Sequence, residues 1–207
     1  DNNYFEKKTI EDFYKEHLIS YLEKEQPEAV GLQFLFSSSF KYLNDLTQII
    51  KKLNPSIRIV IGGNAATALS DKLIQNPHID YVVRGEGEKP LVSIIKHLSG
   101  DNNNDMKGVM SKQRRTCDYD LIEDINTIPI PNYDLLELGK EWYFAQEGWG
   151  RKTYPDFYAD KDAKYRTLAF LHSRGCPYQC IFCASHVVHG RKVREKSLDS
   201  IRKELAF

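Results

Sequence analysis

The chain has 207 residues, 29 basic and 29 acidic side chains, and 41% hydrophobic residues, a globular composition that excludes a disordered chain. Its longest apolar runs, Ala29 to Phe36 and Ile57 to Ile61, fall well short of the roughly 20 residues a membrane helix needs. No secretory signal opens the sequence, and a net charge of zero removes the simplest argument for a nucleic-acid partner.

Thr9 can cap a helix, with Asp12 three residues on, and Ile10, Phe13, Tyr14, Leu18, Tyr21 and Leu22 keep helical spacing until Pro27. Ala29 to Phe36 reads as a strand buried on both faces. Leu43, Leu46, Ile49, Ile50 and Leu53 form an amphipathic helix that Pro55 ends. Ile57 to Ile61 is a second buried strand, running into Gly62-Gly63, and a short helix is expected over Ala66 to Gln75. Asp80 to Arg84 is a third strand, followed by Gly85-Glu-Gly-Glu88 and a helix from Lys89 with Pro90 near its start. A polar loop, Gly100 to Asp105, and a short strand near Gly108 to Met110 close the first half.

Strands separated by helices in this way predict a parallel sheet of right-handed βαβ units. Ligands of such sheets lie beyond the carboxyl ends of the strands. Three loops leave those ends here: Ser37-Ser38-Ser39, Gly62-Gly63-Asn64 and Gly85-Glu86-Gly87-Glu88. Small residues let a ligand approach the backbone, and three such loops at one edge suit a flat, extensive ligand. None matches the GxGxxG or GxxxxGK[ST] phosphate motifs.

Residues 119–165 hold ten of the 24 aromatic side chains, with both Trp142 and Trp149, and read as a connector packed against its neighbours. Cys117 reads as an inert thiol. Thr167 to His172 is then expected to be a strand, with Ser173-Arg-Gly175 as the turn into Cys176-Pro-Tyr-Gln-Cys180-Ile-Phe-Cys183. A helix follows from Lys196 to Phe207, capped by Ser197. From Arg166 onward there are eight basic and three acidic side chains, which suits either a partnered surface or a pocket for an anionic ligand. Three thiolates so close in sequence can converge on one soft metal centre. An iron–sulfur cluster usually takes four protein ligands, so a three-cysteine loop leaves one position for another residue or for a substrate. A zinc site completed by His172, His186 or His189 is the competing Cys₃His arrangement.

CxxxCxxC with Phe182 before the last cysteine resembles the signature of the radical S-adenosylmethionine superfamily. The resemblance implies a 4Fe–4S cluster on Cys176, Cys180 and Cys183 whose open iron chelates S-adenosylmethionine, reductive cleavage to a 5′-deoxyadenosyl radical, and Phe182 near the adenine. The first half, with IPIPNYDLL (Ile128 to Leu136) and GRKVREKSLDSIRKEL (Gly190 to Leu205), is similar to the cobalamin-binding class of that superfamily. Gln33-Phe-Leu35 stands at the position of its SxL motif, Gly62-Gly63 follows at the family's near-fixed interval, and its RGEGE motif is intact at Arg84 to Glu88. Cobalamin contacts are thereby implied at Gln33, Leu35, Ser37, Ser38, Gly62, Gly63, Asn64, Gly85, Glu86, Gly87 and Glu88. The motif serine is Gln33, whose amide can still hydrogen-bond. No DxHxxG is present, so the usual lower axial histidine has no counterpart; His17, His78 and His97 lie in other contexts.

The fold so implied is α/β, in three parts. Residues 1–112 form a Rossmann or flavodoxin-like cobalamin-binding domain expected to lack its first strand, and 113–165 form the connector. Residues 166–207 open a TIM-like radical S-adenosylmethionine barrel. Such a barrel needs roughly 200 residues or more, so the piece alone is expected to be inactive. The implied chemistry is methyl transfer or oxidative cyclisation in a reducing cytoplasm, on a small-molecule or peptide substrate, with a flavodoxin or ferredoxin type electron donor. A radical enzyme whose N-terminal sheet is a cobalamin-free docking domain is the third reading.

Overall fold

The computed structural model describes residues 14–101, 103, 105–115, 118–132 and 170–206. They divide into two compact units. One comprises Asp1–Glu123 with Gly175–Val193, the other Asp124–Arg174 with Arg194–Phe207.

The first unit is built on a four-stranded sheet. A turn of π-helix, Tyr14–Ile19, continues into α1, Ser20–Glu25; the expected cap at Thr9 lies outside the described residues. β1, Ala29–Gln33, leads through a 3-10 turn, Ser37–Ser39, into α2, Phe40–Leu53. β2, Arg58–Gly62, is followed by α3, Asn64–Ala68, and α4, Ser70–Leu73. β3, Tyr81–Val83, precedes α5, Glu88–Leu98, and β4 is Val109–Ser111. The strands lie in sequential order, β1, β2 and β3 parallel and β4 antiparallel to β3.

Alternation along the strands sends side chains to two covered faces. Ile59, Ile61 and Val82 are inaccessible and join Leu22 of α1 and Leu43 and Ile50 of α2 in one cluster. Val60 and Val83 point the other way, to Ile94 of α5 and Val109. On α2 the buried residues are Leu43, Thr47 and Ile50, the i, i+4, i+7 stripe its apolar pattern predicts. Truncating a side chain such as Ile61 to alanine is worth about 2–5 kcal/mol at a site of this kind.

A polar staple secures the amino-terminal edge of the sheet. Asp80 Oδ2 accepts from Lys51 Nζ at 2.7 Å and from the Ile59 amide at 2.9 Å, and Oδ1 accepts from Arg58 Nη1 at 3.2 Å. Lys51 also donates to the Ile57 carbonyl at 2.6 Å. Burial alone would raise the Asp80 pKa, but the bonds from Lys51, Ile59 and Arg58 outweigh it and hold the carboxyl below the ordinary aspartate range.

Two expectations change. The single helix expected over Ala66 to Gln75 is two, because Leu69 (φ −113°, ψ 19°) interrupts the ladder. The strand near Gly108, whose direction the sequence left open, is antiparallel to β3. β4 starts beside Arg84, whose amide donates to the Gly108 carbonyl at 2.8 Å. In the second unit, the strand expected over Thr167 to His172 is found at Ser173–Arg174 (β5), pairing antiparallel with Arg194–Glu195 (β6). Phe170 to His172 are not strand, and 167–169 lie outside the described residues. The Lys196 amide still donates to the His172 carbonyl at 2.8 Å, extending the pairing past the ladder. Between β5 and β6 the chain forms α6, Ser185–His189, in the first unit; α7, Leu198–Leu205, follows β6 in the second. The Ser197 side chain caps α7 by accepting from the Ser200 amide at 3.2 Å. The aromatic connector, with Trp142 and Trp149, lies mostly outside the described residues, as does Cys117.

Candidate cofactor site

Parallel strands carry the three small-residue loops to one edge. Register places Gln33 directly beside Gly62, so two motif positions separated in sequence by the whole of α2 start from adjacent strand ends. Gln33, Leu35, Ser37 and Ser38 are exposed, and Gly62, Gly63 and Asn64 are half-buried. The Phe34 carbonyl holds the first two loops together: it accepts from the amides of Ala65 at 3.1 Å and Ala66 at 3.3 Å. Gly63 has φ +112°, and a Cβ there would stand 2.8 Å from the Phe34 carbonyl oxygen. At Gly62 a Cβ would meet only Val83 Cβ, at 3.9 Å. The second glycine of the pair is therefore the one this turn requires.

Thr67, which the motif reading passed over, joins the second loop to the third. Its hydroxyl donates to the Gly63 carbonyl at 3.2 Å and accepts from the Gly85 amide at 3.1 Å. The signal in the sequence is a lone hydroxyl in Asn64-Ala-Ala-Thr-Ala68, and Thr67 is 2% exposed.

The RGEGE loop divides between inside and outside. Gly85 and Glu86 are buried, Gly87 is exposed and Glu88 half-buried. Gly85 (φ +73°) lies against the Tyr119 ring, where a Cβ would collide. The same ring takes the Arg84 guanidinium at 5.5 Å from its centroid. Glu86 Oε2 accepts from the Ile122 amide at 2.8 Å, and Oε1 lies 3.1 Å from His189 Nδ1. Of this motif, Gly87 is exposed, Arg84 and Glu88 are half-buried, and Glu86 faces the interior.

The cysteine loop belongs to the same compact unit as the sheet. Cys176 and Cys183 are half-buried, Cys180 is exposed, and all three are free thiols. Gly175 (φ +93°) passes against the Lys192 carbonyl, leaving no room for a side chain. The Cys176 amide donates to the Gly190 carbonyl at 3.2 Å, and the Cys183 amide to the Cys180 carbonyl at 3.2 Å. Tyr178, Ile181 and Phe182 between the thiols project into solvent. The donor set, three thiols within eight residues on one loop, one exposed and two half-buried, suits a thiophilic iron–sulfur centre. Among the described residues no three His, Cys, Asp or Glu side chains are already gathered as metal ligands. α6 packs on α3, and the Tyr119 hydroxyl donates to the Val187 carbonyl.

Residues 5–95 match the B12 binding domain family. Over 95% of its length the chain is 28% identical to an uncharacterized methyltransferase of Pyrococcus horikoshii, spanning 40% of that protein. Over 67% of its length it is 32% identical to an anaerobic magnesium-protoporphyrin IX monomethyl ester cyclase of Synechocystis, spanning 25% of it. Over residues 5–95 the chain is thus similar to B12 binding domains, and over most of its length to proteins named as a methyltransferase and a cyclase. A solved structure, that of the cobalamin-dependent S-adenosylmethionine radical enzyme OxsB with aqua-cobalamin and S-adenosylmethionine bound, superposes with a TM-score of 0.64 at 22% identity. That match covers 96% of this chain and 25% of OxsB, and at this identity the likeness is one of fold. Among the described residues no helix is long and apolar enough to cross a membrane.

Proposed function

We propose that the chain is the cofactor-holding part of a cobalamin-dependent radical S-adenosylmethionine enzyme that transfers a methyl group or closes a ring oxidatively. When bound, the 4Fe–4S cluster supplies the electron that cleaves S-adenosylmethionine, and cobalamin supplies a methyl carrier or a redox partner for the radical step. Cys176, Cys180 and Cys183 hold the cluster, and the exposed Phe182 offers a surface for the adenine. Gln33, Leu35, Ser37, Ser38, Gly62, Gly63, Asn64, Gly87 and Glu88 line the edge that receives cobalamin, much of it through backbone groups. The three parts expected from the sequence, residues 1–112, 113–165 and 166–207, are kept as the proposed division of labour. An electron donor of flavodoxin or ferredoxin type and a cytoplasmic setting complete the reading.

The observation that supports this reading most is the shared unit. The segment carrying the three cysteines packs, through α6, on α3, the helix that leaves Gly62-Gly63. Two motifs far apart in the sequence are thereby neighbours in one body, as a reaction using both cofactors requires. Cys176→Ala, Cys180→Ala and Cys183→Ala are each expected to abolish assembly of the iron–sulfur chromophore while leaving hydroxocobalamin uptake intact. A variant that keeps the full cluster absorption would overturn the assignment of that cysteine.

A further inference from the structure

Glu86 does not face the edge where cobalamin is proposed to lie: its side chain is fully buried, and both carboxylate oxygens are engaged within the protein. Its partners lie 36 and 103 residues away in sequence. One is the Ile122 amide and the other is His189, the last residue of α6. At five residues, Ser185–His189, this helix is too short to be held by its own ladder. Its position comes from outside: from Val188, which is buried, from the Tyr119 hydroxyl on the Val187 carbonyl, and from Glu86 on His189.

His189 also stands where the two ends of the cysteine loop meet. α6 begins two residues after Cys183, and Gly190, next to His189, accepts through its carbonyl from the Cys176 amide at 3.2 Å. Gly190 has φ +71°, and the Leu121 side chain fills the space its Cβ would take. A single buried carboxylate thus grips the point that closes the loop from Cys176 to Cys183, while its own backbone belongs to the RGEGE loop.

We propose that Glu86 is a positioning residue that sets the cluster-binding loop against the cobalamin-binding edge, so that the RGEGE motif serves the iron–sulfur side of the site as well as the corrin side. This rests on the function proposed above. Glu86→Gln keeps an oxygen for the Ile122 amide and an amide group for His189, whereas Glu86→Ala keeps neither.

The test compares amide hydrogen exchange, iron content after anaerobic reconstitution and hydroxocobalamin affinity in the 207-residue chain and both variants. Glu86→Ala is expected to speed exchange of the amides at Cys176 and over residues 187–190 by about tenfold or more, the loss of a charge-assisted hydrogen bond. It should also lower iron per chain while binding hydroxocobalamin within about threefold of the parent, and Glu86→Gln should restore most of the protection and the iron. Unchanged exchange in Glu86→Ala would overturn the positioning role, as would a loss of hydroxocobalamin affinity with exchange unaltered. Should Glu86→Ala fail to fold, Glu86→Gln carries the test, with exchange and iron content matching the parent expected and selective loss of hydroxocobalamin affinity overturning the proposal. If the parent itself takes up no iron, the proposed function fails and the cluster-positioning role with it; the exchange measurement, which needs no cofactor, tells that failure apart from an error in the contact.

Discussion

The carbonyl oxygen of Phe34 stands 2.8 Å from where a Cβ on Gly63 would be, and it is the oxygen that accepts from the first free amides of α3. The close approach of these two loops is therefore possible only with glycine at 63. The adjoining Gly62 carries no such requirement, its nearest neighbour being Val83 Cβ at 3.9 Å.

Gly63→Ala places a side chain at φ +112° against that carbonyl, a strain of order 1–3 kcal/mol. It is expected to lower the urea midpoint and to weaken hydroxocobalamin binding together. Gly62→Ala should leave the urea midpoint close to that of the parent, because a Cβ there meets only Val83 Cβ at 3.9 Å. Equal effects of the two substitutions, measured by urea unfolding and absorption titration, would show that the turn does not depend on the Phe34 contact.

Thr67→Val retains the shape of the side chain and removes the hydroxyl that joins Gly63 to Gly85. It leaves the buried Gly85 amide unsatisfied, at a cost of about 1–3 kcal/mol, and should loosen the third loop against the second. Thr67→Ser keeps the bridge and should remain near the parent. Urea unfolding of the pair distinguishes a hydroxyl effect from a packing effect; a Thr67→Ser variant as unstable as Thr67→Val would assign the role to the methyl group.

Asp80 makes stability depend on acid. Its pKa in the folded chain is held below that of the unfolded chain by Lys51, Ile59 and Arg58, against the effect of burial. The stability it contributes is complete above the unfolded value of about 3.9 and disappears as pH falls through the lower folded value. Asp80→Asn should lower stability at neutral pH and show a shallower loss below about pH 4. Urea midpoints measured from pH 7 to pH 3 check this, and a parallel pH profile for the variant and the parent would remove Asp80 from the account.

Much of the fold was legible because the relevant signals are local. Ile57 to Ile61 and Asp80 to Arg84 announce strands by β-branched density, and Ser197 announces α7 by capping. Gly62-Gly63 and the CxxxCxxC spacing mark the ends of the site. What sequence could not give was set by distant partners. Two adjacent glycines look alike until the Phe34 carbonyl shows which one is needed. Glu86 reads as one cobalamin contact of its motif until Ile122 and His189 enclose it. The direction of β4 is set by its pairing with Tyr81 to Val83 of β3. β5 sits at Ser173–Arg174 because its partner, Arg194–Glu195, lies beyond the whole cysteine loop and α6. None of these is a matter of propensity, and each is a matter of where the chain comes back.

The central claim is that one compact unit holds an iron–sulfur cluster on Cys176, Cys180 and Cys183 beside a cobalamin-binding sheet edge. Anaerobic reconstitution with iron and sulfide, followed by metal analysis and absorption spectra with and without hydroxocobalamin, tests it most directly. The account predicts about four iron atoms per chain together with retained corrin. About one zinc per chain, with no iron uptake and no bound corrin, would contradict it and make the three cysteines a structural zinc site.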